Sequence, residues 1–343
     1  MTNPEPAADA EQSFLPATTH PGWVAQLDRV VDPPNLDACP PPGSPDDLDV
    51  RIPYHATMRT VQTPVLKRAV AVARRLWLAG SPRSEGPLHL AVDGPGETGM
   101  TTVLRQIGRI FEGIARAQAP HHPGKRIPVI HINTPLAPGS KLDMSIPFAE
   151  FLGHKHTKDP ESGQRSTDMT GPVCHVMKTR GTRLVLVDGI DRLDNSELKT
   201  AFDYFNYLAA ECNVSFVYCG PGSREIVSDA RRSKRAGPPP AMPNQIPTLA
   251  VPPFPYSPAD YESFREVIKA FDQDLRLHRH TPGDLVELAE HLHRRTGGYM
   301  KPLSYLICQT AQEAIETGIE AITAELLDNQ LVGSFDDDPL LSL

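Results

Sequence analysis

The stretch Leu88-His-Leu-Ala-Val-Asp93-Gly94-Pro95-Gly96-Glu97-Thr98-Gly99-Met100-Thr101-Thr102-Val-Leu-Arg105 decides how the rest of the chain reads. A short apolar run ends in a glycine-rich turn, and residues with helical periodicity follow. This is the strand, loop and helix of a phosphate-binding P-loop, whose pattern is G-x-x-x-x-G-K-[ST]. Gly94, Gly99 and Thr101 are in register, but the lysine position holds Met100. Backbone N–H groups at a helix N-terminus attract phosphate whatever side chains surround them. Gly94, Pro95, Gly96, Glu97, Thr98, Gly99, Met100, Thr101 and Thr102 are therefore the candidate nucleotide-contacting residues.

The totals bound the reading. A length of 343 residues leaves room for one large or two modest domains with an ample core. Proline is the outlier at 36, and ten of these fall in the first fifty positions, so the excess belongs partly to a tail. The net charge of −8 argues against nucleic-acid binding through bulk charge. Any DNA contact must be local or made by an assembly. The five cysteines are scattered, with no C-x-x-C, which fits a reducing cytosol better than a disulfide framework. No N-terminal apolar run resembles a signal peptide, and no run of about 18 apolar residues is present to span a bilayer. A cytoplasmic location without membrane contact is expected.

Along the chain, residues 1–48 read as a disordered Pro-rich leader, within which Trp23, Val24, Leu27 and Val30 could form a short docking helix. Residues 49–235 read as an α/β core. Pro64 opens a helix whose apolar positions Leu66, Ala69, Ala73 and Leu76 recur at helical spacing. Strands are expected at Leu88–Asp93, Ile127–Asn133, Arg183–Asp188 and Val214–Cys219, with a helix capped by Asn195 or Ser196 between the last two. Strands alternating with helices predict a mostly parallel sheet. Residues 236–257 read as a Pro-rich linker with one extended piece, Thr248–Val251. Residues 258–330 read as a helical lid domain, in which Ser257-Pro258 and Thr281-Pro282 mark helix starts. Residues 331–343 read as an acidic tail.

The apolar strand ending in Asp188 lies where a Walker B aspartate belongs. Asp188 and the Thr101 hydroxyl are the candidate metal ligands, for Mg²⁺. The strand ending at Cys219 falls where a sensor-1 strand belongs, and a helical domain follows. At this point the chain resembles the TniB-type AAA+ ATP-binding proteins of transposons, relatives of the TnsC regulators. The resemblance rests on Arg51-Ile-Pro-Tyr54, the P-loop, Arg183-Leu-Val-Leu-Val-Asp-Gly-Ile-Asp-Arg-Leu193 followed by Phe202-Asp-Tyr-Phe-Asn-Tyr-Leu-Ala-Ala210, and Val217-Tyr-Cys-Gly-Pro-Gly-Ser-Arg-Glu225. It covers about residues 50–330, and Thr296-Gly-Gly-Tyr-Met-Lys301 resembles the family's lid-helix start. It implies a P-loop core with a helical lid, ATP and Mg²⁺ as cofactors, homo-oligomers assembled on DNA, and contact with an integrase-like transposase and a target-selecting protein.

Two departures fall at catalytic positions. Met100 replaces the P-loop lysine, and Gly189 stands where the family's general base would be glutamate. A charge-assisted contact is worth about 1.5–3 kcal/mol, so losing the lysine alone weakens phosphate binding roughly ten- to a hundredfold. Slow or absent hydrolysis is expected, and Arg105 or Lys178 is a candidate replacement cation. A pseudo-ATPase scaffold with a vestigial pocket is the alternative. Lys301 is a candidate sensor-2 cation. Arg224 and the cluster Arg231-Arg232-Ser-Lys234-Arg235 read as an arginine finger, a DNA-backbone strip or a solvated loop. The pairs His154/His156, His278/His280 and His291/His293 invite a metal reading, but spacing of two on a helix puts side chains on different faces, no Cys or Glu accompanies them at zinc-site spacing, and they read as exposed histidines.

Overall fold

The computed structural model describes residues 15–43, 49–57, 60–80, 86–118, 125–135, 143–154, 168–232, 246–258 and 260–331, with backbone only at 231 and 232. Five strands, β1 (Leu90–Asp93), β2 (Val129–Asn133), β3 (Leu184–Asp188), β4 (Ser215–Cys219) and β5 (Thr248–Ala250), form one parallel sheet in the order β2-β3-β4-β1-β5. Parallel strands covered on both faces need apolar residues without alternation, which is why Leu184–Val187 is a continuous run. The chain leaves β1 for the far edge and returns through β3 and β4. The loop after β1 therefore lies where strand order reverses, the place an open α/β sheet offers a ligand.

Among the described residues eight α-helices precede the lid in chain order, α1 (His20–Asp28), α2 (Arg51–Ala56), α3 (Pro64–Ala79), α4 (Met100–Gln118), α5 (Ser145–Phe151), α6 (Thr170–Arg180), α7 (Asn195–Cys212) and α8 (Ser223–Arg232), and all but α2 accompany the sheet. In α3 the Thr63 hydroxyl accepts the Leu66 N–H at 3.2 Å, and Leu66, Ala69, Ala73 and Leu76 are buried while Lys67, Arg68, Arg74 and Arg75 face solvent. In α4 Val103, Leu104, Ile107 and Phe111 are buried against the sheet and α3. The cap of α7 is Asp194, with Glu197 completing a capping box, and not Asn195 or Ser196. The lid holds α9 (Tyr261–Asp274), α10 (Asp284–Glu287), α11 (Ala289–Thr296), α12 (Met300–Glu316) and α13 (Ala324–Asn329) around its own apolar cluster, which includes Phe264, Phe271, Leu292 and Leu306. Its first helices begin later than the prolines suggest. Ser257 Oγ closes a turn onto Asp260 Oδ2 at 2.6 Å, and Thr281 N–H does so onto Asp284 Oδ2 at 2.9 Å.

Three expectations are corrected. Residues 15–43 are not a disordered leader. The Thr19 hydroxyl caps α1, and Trp23 is only 1% exposed, with its ring against α4. Gly108 makes the room: a Cβ there would lie 2.7 Å from Trp23 Cη2 and 2.6 Å from Leu186 Cδ1. Proline content hid a segment that buries one large aromatic side chain in the main core. The linker at 236–257 is interrupted by β5, which pairs with β1 and so belongs to the core sheet. The segment Arg51–Tyr54 belongs with the lid. Arg51 is 1% exposed and pairs with Asp49 Oδ2 at 2.6 Å and Glu320 Oε2 at 2.8 Å, and the Tyr54 hydroxyl donates to the Asp274 carbonyl at 2.8 Å. The expected acidic tail, apart from Leu331, and residues 233–245 lie outside the described residues. Among the described residues no helix is long and apolar enough to cross a membrane.

Trp23→Ala is expected to lower unfolding free energy by about 3–5 kcal/mol in denaturant melts, whereas truncation at a disordered leader would leave it unchanged. A pH dependence also follows. Burial, with Arg51 and Arg276 nearby, lowers the His55 pKa to about 4, and burial with Arg105 nearby does the same to His131. Both imidazoles are neutral when folded and take up protons on unfolding below the ordinary value of 6.5. The melting temperature should therefore fall as pH drops from 6.5 towards about 4. In His55→Gln the slope should be shallower than in the wild type by up to one proton.

Candidate functional site

Strand β1 delivers the loop Gly94–Gly99 to the start of α4. Glu97 and Gly99 take left-handed backbone, with φ of 63° and 92°. The Thr98 hydroxyl donates to the Pro95 carbonyl at 2.8 Å and closes the loop. Pairing of β5 with β1 carries Val251 across it, and the Val251 N–H donates to the Asp93 carbonyl at 2.8 Å. The Val251 carbonyl comes so close that a Cβ on Gly94 would lie 2.2 Å from it. A Cβ on Gly96 would meet nothing within 4 Å, so the loop is open on that side. The open loop at the N-terminus of a 19-residue helix makes a cradle that fits phosphate.

The Thr101 hydroxyl donates to Asp188 Oδ1 at 3.3 Å, across 87 residues of sequence. The two expected metal ligands are thus brought together, and a hydroxyl beside a carboxylate suits Mg²⁺. Thr134, at the end of β2, was not legible as a site residue. Its N–H donates to the Asp188 carbonyl at 2.9 Å and its hydroxyl to the Gly189 carbonyl, bracing the turn after β3. The available signal was Thr134 following a strand directly before Pro135. Cys219 points its thiol at Asp188. Burial first, then Asp188, pushes that thiol well above its ordinary range, so it remains protonated and is no nucleophile.

The two departures have structural causes. Met100 is buried in the main apolar cluster with Val103 and Leu104. Gly189 takes φ of 76°, and a Cβ there would lie 2.9 Å from Arg192 Nε, so glutamate at this position would be strained. Asp191 is turned towards β4: its Oδ1 lies 2.1 Å from where a Cβ on Gly220 would be. Lys178 is engaged by Glu211 on the exposed face of α6 and α7.

Lys301, at the start of α12, reaches the loop from the lid. Its N–H donates to the Glu97 carbonyl at 3.0 Å and its ammonium lies 3.1 Å from Glu97 Oε1. Both side chains are exposed, and solvent screening leaves this pair weak. A cavity of about 420 Å³ opens beside the loop, with Thr98, Gly99 and Thr102 on one wall, Val61, Leu66, Val251 and Phe254 on another, and Lys301, Tyr305 and Gln309 from the lid. This size falls within the roughly 300–1,000 Å³ of small-ligand sites. Its apolar wall suits a base and its polar wall adjoins the cradle.

Arg224 is exposed on α8, and the side chains of 231–235 lie outside the described residues. His156 lies outside the described residues. The histidine pairs of the lid find protein partners, and not all are exposed. His278 contacts the Pro40 carbonyl at 2.8 Å, His293 the Phe254 carbonyl at 2.8 Å, and His280, 6% exposed, Asp272 at 3.1 Å.

The sequence matches no protein-family profile and no curated protein. Solved structures do match. The Aeropyrum pernix ORC2 protein, in ADPNP–ADP complexes, superposes with a TM-score of 0.52 at 13% identity over 82% of this chain and 70% of its own. The Aeropyrum pernix ORC1 protein in complex with DNA does so with a TM-score of 0.53 at 17% identity over 78% of this chain and 65% of its own. The chain therefore spans a little under two thirds of the second structure. Together with the parallel sheet, these likenesses show an α/β P-loop NTPase fold of the AAA+ type.

The two loop glycines should separate sterically. Gly94→Ala is expected to lower stability by about 1–3 kcal/mol, because its Cβ must displace the Val251 carbonyl. Gly96→Ala should leave the thermal melt unchanged.

Proposed function

We propose that this chain is a nucleotide-responsive regulator of DNA transposition in the TniB-type group. In this reading it binds ATP with Mg²⁺, assembles as a homo-oligomer on DNA, and recruits an integrase-like transposase. The observation that carries the nucleotide part is the Thr101 hydroxyl on Asp188 at 3.3 Å, beside a cradle and a cavity that Lys301 lines from the lid. The loop N–H groups and Lys301 would hold the phosphates, Thr101 and Asp188 the metal, and the apolar wall the base. The metal, when bound, would neutralise phosphate charge. The motifs that resemble the TniB group support the transposition part, and a fold shared with an ORC1 protein solved in complex with DNA supports the DNA-contact part alone.

Hydrolysis is slow or absent in this reading. Met100 supplies no charge, and the backbone at Gly189 disfavours the glutamate that would orient water. The same two observations favour a second reading, an interaction scaffold whose pocket no longer binds nucleotide.

A thermal melt with and without Mg-ATP separates the two, since a ligand that binds only the folded state must raise the melting temperature. The regulator reading expects a rise in the wild type that Gly96→Asp abolishes. Met100→Lys should tighten ATP binding roughly tenfold or more, while lowering unliganded stability because the position is buried. No shift in the wild type would leave the scaffold ahead. Sedimentation with duplex DNA, with and without Mg-ATP, tests assembly, and co-purification with an integrase-type transposase tests recruitment.

A further inference from the structure

A second cavity, of about 650 Å³, lies on another face of α4. Thr102, Arg105, Gln106 and Arg109 line it at positions i, i+3, i+4 and i+7, one face of the helix, while Val103, Leu104 and Ile107 point to the core. The end of α1 contributes Gln26 and Arg29, and the segment before α3 contributes Gln62. Three arginines and three glutamines thus converge, and no carboxylate lines the cavity among the described residues. Arg29 and Arg109 are exposed. Arg105 is half-buried, and its Nε is buried without a hydrogen-bond partner among the described residues. Like charges at i and i+4 repel, and a guanidinium Nε shut away from water is costly without an acceptor. An arrangement of this kind on a chain of net charge −8 calls for an anion.

We infer that this cavity is a second anion site, separate from the P-loop, for a small multiply phosphorylated ligand such as a di- or triphosphate. Guanidinium forks match phosphate oxygens two at a time, and glutamine amides add neutral donors. The concave shape favours a compact ligand over a duplex backbone, which needs an extended basic strip. Thr60 and Thr102 line both cavities, so the two sites share a wall. The inference does not depend on nucleotide binding at the P-loop.

The test is calorimetric titration of the full chain with inorganic pyrophosphate at low salt, on the wild type, Gly96→Asp and the double variant Arg105→Gln/Arg109→Gln. Gly96→Asp places a carboxylate in the P-loop cradle, where the space is open. Pyrophosphate should still bind Gly96→Asp, and its affinity should fall about tenfold or more in the arginine variant. If circular dichroism shows the double variant unfolded, the exposed single variants Arg29→Gln and Arg109→Gln carry the test, each with a loss of about threefold or more. Three outcomes overturn the inference. One is no binding to the wild type. Another is binding that Gly96→Asp abolishes, whether or not the arginine variants weaken it, which places all of it at the P-loop, with Arg105 its replacement cation if they do. The third is arginine-dependent binding of a single-stranded oligonucleotide without any of pyrophosphate, which assigns the face to a nucleic-acid backbone.

Discussion

The strap Val251–Phe254 is gripped between two glycines, and the geometry of the candidate site depends on that grip. At one end the Val251 carbonyl would lie 2.2 Å from a Cβ on Gly94 of the P-loop. At the other, the Phe254 carbonyl would lie 2.0 Å from a Cβ on Gly298, immediately before the last long lid helix. Phe254 N–H donates to the Gly298 carbonyl at 2.9 Å, and Gly298 takes φ of 75°, a second reason for glycine there. Backbone is thus packed on backbone at both ends. The phosphate loop and the lid are set against one another by a few residues of chain, and the 420 Å³ cavity opens where they meet.

A second tie runs through Arg51. Its guanidinium is held by Asp49 and Glu320, all three almost wholly buried, and Glu320 also accepts the His278 N–H at 3.0 Å. Buried pairs of this kind add little net stability compared with apolar packing, but removing one partner strands a charge. Burial by itself would raise the Asp49 carboxyl, and the Arg51 hydrogen bonds outweigh it and hold it below the usual range. The tie fastens α2 to the lid, while α3 packs on α4 in the core. The segment between them supplies Thr60, Val61 and Thr63 to the cavity. The cavity walls therefore come from both sides of the core–lid seam, and a molecule held there contacts both.

The departures at Met100 and Gly189 share a physical form. In each, the residue present suits packing or backbone conformation and lacks the charge that hydrolysis would use. Met100 fills the core beneath the loop, and Gly189 permits the left-handed turn that Thr134 braces. The backbone of the cradle and the Thr101–Asp188 pair do not depend on either side chain.

The parallel α/β sheet, four of its strands and the closeness of Thr101 to Asp188 were legible in the sequence. Apolar runs and helical periodicity follow from burial on two faces or one, and those patterns survive without knowledge of partners. The remainder was decided by tertiary contact. Trp23 lay in a proline-rich stretch, and only the space left by Gly108 shows that it belongs to the core. The three residues of β5 fall in the extended piece expected within the linker, but nothing in them shows that it joins the sheet, which it does because β1 offers it an unpaired edge. Arg51-Ile-Pro-Tyr54 precedes the core in sequence yet packs on the lid, because its charge partner Glu320 lies 269 residues away. Local sequence determines what a segment can form. Which surface it covers depends on a partner elsewhere in the chain, and only the folded structure brings the two together.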